Sequence, residues 1–148
     1  MSKRLPPPIR IACMEDAAEV ARLCTELGYP VTFDEMTARM SVVISSGDRQ
    51  VFVAEGAQGL LGWVAVELRT TLETGRNAEI VGLVVDAGTH RSGIGRKLIA
   101  TAEAWVRQHG LDRVMVRSNT ARVASHPFYE GIGFVRRKSQ HVYIKQLD

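Results

Sequence analysis

Between residues 79 and 108 the chain changes its hydrophobic period from two to 3.6 across one glycine turn, and that change sets most of what it can fold into. The run "EIVGLVV" is too continuously apolar for a half-exposed strand, which predicts a strand central in its sheet. "HRSGIGRKL" follows at residues 90 to 98. From Gly93 onward Ile94, Leu98, Ile99, Ala102, Trp105 and Val106 share one helical face, with Arg96, Glu103 and Arg107 opposite, until Gly110 stops the helix. A buried strand, a glycine turn and an amphipathic helix require a sheet with a helix laid on it.

The rest of the chain extends that layer. "IRIACM" reads as a short strand. "DAAEVARLCTELG" reads as a helix with Asp16 and Glu19 as a capping box, Val20, Leu23, Cys24 and Leu27 inward and Gly28 as its stop. "TFDEMTARMSVVISSG" repeats the device, with Thr32 and Glu35 as cap, Phe33, Met36, Met40 and Val43 inward and Gly47 as terminator. "QVFVAEG" and "LLGWVAVEL" form a hairpin, and "RTTLETGRNA" is a loop before the central strand. After the long helix come a strand in "DRVMVRSN", a short helix in "ASHPFYEGIGF" and a last alternating strand, "QHVYIKQL". Pro127 fits only the first turn of a helix, so the short helix is expected to start near Ser125 rather than back at Ala121, or else to start earlier and be kinked. The order is β-α-α-β-β-β-α-β-α-β, an α/β fold with a mixed (α+β) sheet and helices on its faces.

Length and composition agree with one domain over residues 1–148. No apolar run approaches the roughly 20 residues that span a bilayer, so no membrane partner is expected. "MSKRLPPPIR" lacks the apolar stretch of a secretory signal, and a cytoplasmic location is the default expectation. The two cysteines, Cys13 in a strand and Cys24 on a helix, lack metal-ligand spacing, so both read as buried thiols and no metal is expected. Net charge is +3. Its basic residues have no aromatic interleaving and no helix-turn-helix or zinc signature, which argues against nucleic acid.

The glycine turn is an anion cradle in principle: glycines let backbone approach a ligand, and the first amides of a helix point outward, unpaired, at the positive end of its dipole. Gly88 and Gly93 have the spacing of a nucleotide-triphosphate loop, but Ile94 and Gly95 follow where Lys and Ser or Thr are needed. The dinucleotide fingerprint needs a glycine at position 98, which is Leu98. A different anion is left.

Residues 79–134 resemble the GNAT superfamily of acyl-CoA-dependent N-acetyltransferases, through "LVV" on the fourth strand, the "GIG" loop opening the helix, and "FYEGIGF". The resemblance implies a sheet splayed between the fourth and fifth strands with acetyl-CoA in the cleft and no metal. Its pantetheine arm would pair with the backbone of Leu83, Val84 and Val85, and its pyrophosphate would sit on amides of Ser92, Gly93, Ile94, Gly95 and Arg96. The family pattern has Arg or Gln where this chain has His90, with Arg91 beside it; either Arg91 substitutes or His90 makes a weaker contact. Asn119, Arg122 and Phe128 fall where the family places further cofactor contacts. Tyr129 aligns with the tyrosine that meets the CoA sulfur as the thiolate leaves.

An amine near pKa ~10.4 must lose a proton before it attacks a thioester. The glutamate that several members use for this is Val81 here. Glu79, two residues earlier and on the same face if the strand has no bulge, is the candidate base through water; His126 and His141 are alternatives. The acceptor wall implied by the fold comprises Tyr29, Phe33, Met36 and Met40 with the loop at 69–78. Glu67, Glu73 and Glu79 read as scattered, marking no polyamine or aminoglycoside site. The expected function is therefore transfer of an acetyl group from acetyl-CoA to a primary amine by direct attack, the acceptor being a small-molecule amine or a protein amino group. The competing reading is a non-catalytic acyl-CoA-binding sensor or interaction module. A homodimer is possible, since the edge strand "QHVYIKQL" would want a cover.

Overall fold

The computed structural model describes residues 8–89 and 92–148, so His90 and Arg91 lie outside the described residues. Two compact units make up the chain, Met1–Val116 and Arg117–Asp148. The first contains β1 (Ile9–Ile11), a 3-10 turn (Met14–Asp16), α1 (Ala17–Glu26), α2 (Phe33–Ile44), β2 (Arg49–Gly56), β3 (Gly59–Thr71), β4 (Gly75–Val85), a second 3-10 turn (Ala87–Thr89), α3 (Ile94–Gln108) and β5 (Met115–Val116). The second contains α4 (Ser125–Gly131).

The sheet runs β1-β2-β3-β4-β5, antiparallel through β4 and parallel between β4 and β5. That is the mixed sheet expected. On one face Val51, Val53, Trp63, Ala65 and Val84 pack against Ala17, Val20, Leu23, Met36 and Met40 of α1 and α2. On the other lies α3, whose six inward residues are all buried as its periodicity predicts. Gly62 marks how close that helix comes: a Cβ there would approach Leu98 Cδ1 to 3.0 Å.

α2 begins with the Thr32 and Glu35 capping box, each side chain accepting the other's backbone N–H. α1 does not use Asp16 and Glu19 in this way. Asp16 instead accepts Arg10 Nη1 and Nη2 at 2.8 Å each and the Cys13 N–H at 2.8 Å, while Glu19 accepts from Arg22 and from the Leu60 N–H. Tertiary partners outbid the local cap, because a guanidinium fork satisfies a buried carboxylate better than one amide does. The same Arg10 fork holds the Asp16 carboxyl below the usual carboxylate range, against the opposing cost of burial. With its folded pKa depressed, Asp16 contributes stability that is present above about pH 4 and lost as pH falls through the folded value. Asp16→Asn is expected to cost about 2 kcal/mol at pH 7 and to flatten this acid limb, read by urea melts from pH 7 to pH 2.

Three sequence expectations about packing change. Phe33 is 57% exposed and Leu27 37%, so neither points inward as α2 and α1 were read. Cys13 follows β1 and is exposed, and Cys24 is only partly buried. Residues 69–78 are not a loop: β3 and β4 continue through them as a long hairpin that turns at Leu72, Glu73 and Thr74.

β4 carries the irregularity that matters for the site. Ala65 pairs with Gly82 but Val66 pairs with Ile80, leaving Val81 as an extra, half-exposed bulge residue. A bulge reverses the side-chain alternation beyond it. Leu83 therefore points to the α3 face, whereas Glu79 joins Gly82 and Val84 on the face that α1 and α2 cover. The expectation that Glu79 and Leu83 share a face fails for this reason.

β5 pairs with β4 only at Glu79 with Met115 and Ile80 with Val116. From Val81 to Val85 the edge of β4 away from β3 has no strand partner among the described residues, so the sheet opens where the splay was expected. In the second unit, "QHVYIKQL" does not form the expected last strand. Val142, Tyr143, Ile144 and Leu147 are each at least 85% exposed, and alternation cannot hold a strand without a ladder.

Candidate active site

β4 and α3 carry the residues that the resemblance assigns to the cofactor. Gly93 is the N-cap of α3 at φ 82°, a left-handed conformation that costs a residue with a Cβ about 1 kcal/mol or more. The first intrahelical bond runs from the Lys97 N–H to the Gly93 carbonyl at 3.1 Å. Among the described residues the amides of Gly93, Ile94, Gly95 and Arg96 have no acceptor, as a helix start dictates. Ser92 differs from the expectation: its N–H donates to the Thr89 carbonyl at 3.2 Å and is already spent.

The first turn of α3 contains no acidic residue and carries Arg96 and Lys97 instead. Cations at a helix N-terminus oppose the dipole, so the helix forgoes a few tenths of a kcal/mol that an anion there would restore. Upstream, Leu83, Val84 and Val85 lie on the open edge of β4. Asp86 then fixes the exit of the strand, its N–H donating to the Leu61 carbonyl at 2.8 Å and its carboxylate accepting the Gly88 N–H at 2.9 Å.

The second unit explains "FYEGIGF" in physical terms. α4 starts at Ser125, so Pro127 lies in its first turn as expected. It ends in a Schellman closure: the Phe134 N–H reaches the Tyr129 carbonyl at 3.0 Å and the Gly133 N–H that of Glu130 at 3.2 Å, with Gly133 at φ 100°. The rings of Tyr129 and Phe134 meet edge to face at 5.7 Å, and Phe128 meets Tyr129 at 5.2 Å. Gly133 and both flanking aromatics thus serve to fix one tyrosine. Burial pushes the Tyr129 hydroxyl above its ordinary pKa.

Asn119 is engaged locally, its Oδ1 accepting the Ala121 N–H at 2.9 Å and its carbonyl accepting the Arg122 N–H at 2.9 Å and lying 3.2 Å from His126 Nε2. Arg122 is exposed.

On the α1 and α2 face of the sheet the bulge brings together groups that the sequence read as scattered. Glu67 and Glu79 are direct cross-strand partners, and Arg49 is the partner of Glu67 on its other side. Glu79 is buried and ion-paired with Arg69, which also lies 3.9 Å from Glu67. Trp63 lies over Gly82 so closely that a Cβ there would come within 2.7 Å of the indole. Trp63 is absent from the sequence reading, although a large side chain at an inward position of β3 offered a signal; Glu67 enters it only as one of the scattered glutamates, and Arg69 only as the first residue of the loop at 69–78. Met36 and Met40 belong to the core, while Tyr29 and Phe33 project outward.

Residues 14–134 match the acetyltransferase (GNAT) family. The chain belongs to that family. Membership makes it an acetyl-CoA-dependent N-acetyltransferase, the activity the sequence resemblance implied. Among GNAT relatives, an aminoglycoside N(6')-acetyltransferase type 1 from Stenotrophomonas maltophilia is 30% identical over 133 residues, 86% of each chain. A mycothiol acetyltransferase from Salinispora tropica is 38% identical over 90 residues, 58% of this chain but 28% of its own length. Solved structures agree on the fold. An aminoglycoside N-acetyltransferase in complex with CoA superposes with a TM-score of 0.87 at 16% identity, covering 99% of this chain and 100% of that one. An aminoglycoside 6'-N-acetyltransferase from Acinetobacter haemolyticus gives 0.82 at 18% identity, covering 95% and 99%.

Proposed function

We propose that this acetyltransferase acts on a primary amine of a small molecule, with the cofactor held by β4 and α3 and the amine received on the α1 and α2 face of the sheet. The observation that carries the reading is an edge of β4 and four amides at the start of α3 that have no partner among the described residues. A pantetheine arm has amides that can add to such an edge as a strand would, and a pyrophosphate suits helix-start N–H donors. Leu83, Val84 and Val85 supply the backbone edge, and Gly93, Ile94, Gly95 and Arg96 the donors. His90, Arg91, Asn119, Arg122 and Phe128 are assigned to the cofactor on the motif alone, and the Ser92 amide, spent on Thr89, is left out of the cradle.

The chemistry then divides between two side chains. Glu79 takes the proton from the amine through water, which leaves a neutral nitrogen to attack the thioester carbonyl. The C–N bond forms as the C–S bond breaks, the nitrogen sheds its second proton to water, which re-protonates the released thiolate, and while that thiolate departs it needs a hydrogen-bond donor. Tyr129 supplies it. Full transfer from a phenol near pKa ~10 to a thiolate near ~8.5 is uphill by about 2 kcal/mol, and burial of Tyr129 makes it steeper still. A hydrogen bond to the developing charge is the role that suits it. No acyl-enzyme is needed. Two free cysteines fit a cytoplasmic setting, where thiols stay reduced. The family match crosses from the first unit into the second, which supports residues 1–148 acting as one catalytic domain.

The test is release of CoA thiol from acetyl-CoA over a panel of small amines. Gly93→Ala is expected to raise the KM for acetyl-CoA about 10-fold, because the left-handed turn that aims the amides becomes strained. Amine-independent binding with no thiol release from any amine would favour the non-catalytic sensor.

A further inference from the structure

The charged groups on the α1 and α2 face form an ordered pattern that the proposed amine alone does not explain. Arg49, Glu67 and Glu79 make one continuous row across β2, β3 and β4, each the direct register partner of the next. Arg69 flanks the row two residues along β3 from Glu67 and contacts both carboxylates. Two anions and two cations therefore lie on one face, with no excess of negative charge. The side chains are unequal in exposure: Glu79 is 7% exposed and Glu67 22%, whereas Arg69 and Arg49 are 37% and 43%. The carboxylates are at the bottom of the patch and the guanidiniums at its accessible rim.

The contacts of the two arginines with Glu67 are long, 3.8 Å from Arg49 and 3.9 Å from Arg69, beyond hydrogen-bonding distance. Arg69 spends Nη2 on Glu79, but the nitrogens that face Glu67, Arg69 Nη1 and Arg49 Nε, remain open to an incoming planar anion, the geometry at which guanidinium excels. A polycation meets the opposite situation: it must pass two guanidiniums to reach the glutamates, on a chain whose net charge is already +3. An acceptor with an amine and a carboxylate complements the patch as it stands, its ammonium replacing a guanidinium on the glutamates and its carboxylate taking that guanidinium in return.

Resting on the acetyltransfer reading above, we infer that the acceptor is an amine that also bears a carboxylate, of the amino-acid or short-peptide class, with Arg69 and Arg49 recognising the carboxylate and Glu79 and Glu67 the amine. Arg69 and Arg49 are then the specificity-determining residues, and a polycationic aminosugar is a poor substrate for this chain.

The experiment uses the full chain with acetyl-CoA and follows thiol release with dipeptides carrying a free C-terminal carboxylate, the same dipeptides as C-terminal amides, and the polycation kanamycin. Free and amidated dipeptides have amines of similar basicity, so their ratio of kcat/KM isolates the carboxylate. The expected ratio is at least 10-fold in favour of the free acid, with kanamycin below both. Arg69→Gln and Arg49→Gln are each expected to bring the ratio at least threefold closer to one. The ratio is read within one preparation, so a folding defect that lowers both arms equally does not move it. A ratio near one in the unaltered chain, or a kcat/KM for kanamycin above that of every free dipeptide, overturns the inference. So does saturable acetyl-CoA binding without acetylation of any dipeptide, which leaves the cofactor reading standing. Failure to bind acetyl-CoA at all removes the acetyltransfer reading itself.

Discussion

Tyr129→Phe is expected to lower kcat about 100-fold while leaving the KM for acetyl-CoA within about twofold. The substitution removes one oxygen and keeps the ring, so the edge-to-face contacts with Phe128 and Phe134 and the closure at Gly133 remain in place. What is lost is the donor for the thiolate as the C–S bond breaks, an interaction absent from the ground state, and such a loss appears in kcat. Because burial holds the hydroxyl above its ordinary pKa, any alkaline fall in kcat from its ionisation is expected at higher pH than a free tyrosine would give. Steady-state kinetics at saturating amine checks both points. An unchanged kcat would remove Tyr129 from the chemistry and leave the thiolate to be stabilised by another donor or by water.

Glu79→Gln should have an effect of the same order on the other substrate: kcat/KM for the amine is expected to fall about 100-fold, with acetyl-CoA binding preserved. Glutamine keeps the shape but cannot accept the proton, and it leaves Arg69 with Glu67 as its remaining carboxylate on that face. The site is buried, so some stability goes too, and a thermal melt run beside the kinetics separates the two effects. Rates rising steeply with pH in the variant, as the unprotonated amine becomes abundant, would support the lost base. Turnover equal to that of the native chain would take proton removal away from Glu79 and assign it to a histidine or to water.

Where these residues lie was only partly legible in the sequence. α3 was readable to the residue, because its inward face is set by a 3.6 period that no tertiary contact overrides, and Gly93 at its start is demanded by a positive φ. The Tyr129 segment was readable as a motif, and the Schellman closure gives Gly133 and Phe134 a physical reason for standing where they do. The bulge at Val81 was not readable. It is a property of the pairing between β3 and β4, and nothing in "EIVGLVV" marks the residue that pairs with none. That one residue decides which face Glu79 occupies and so which partners it meets.

The failure of the Asp16 and Glu19 cap has a similar origin, since Arg10 on β1 and Arg22 on α1 claim the two carboxylates. Phe33 was misplaced because a helical wheel assigns a face but cannot say how wide the covering surface is. The segment at 140–147 shows the limit of alternation as a signal: it describes what a strand would present, and a strand exists only with a neighbour to pair with.

The central claim is that β4 and the start of α3 form an acyl-CoA cradle, and calorimetric titration of the purified chain with acetyl-CoA tests it most directly, with ATP and NAD as controls. The account predicts saturable one-site binding of acetyl-CoA alone, weakened about 10-fold by Gly93→Ala. Absence of binding by a chain shown to be folded, or equal binding of ATP, would contradict it.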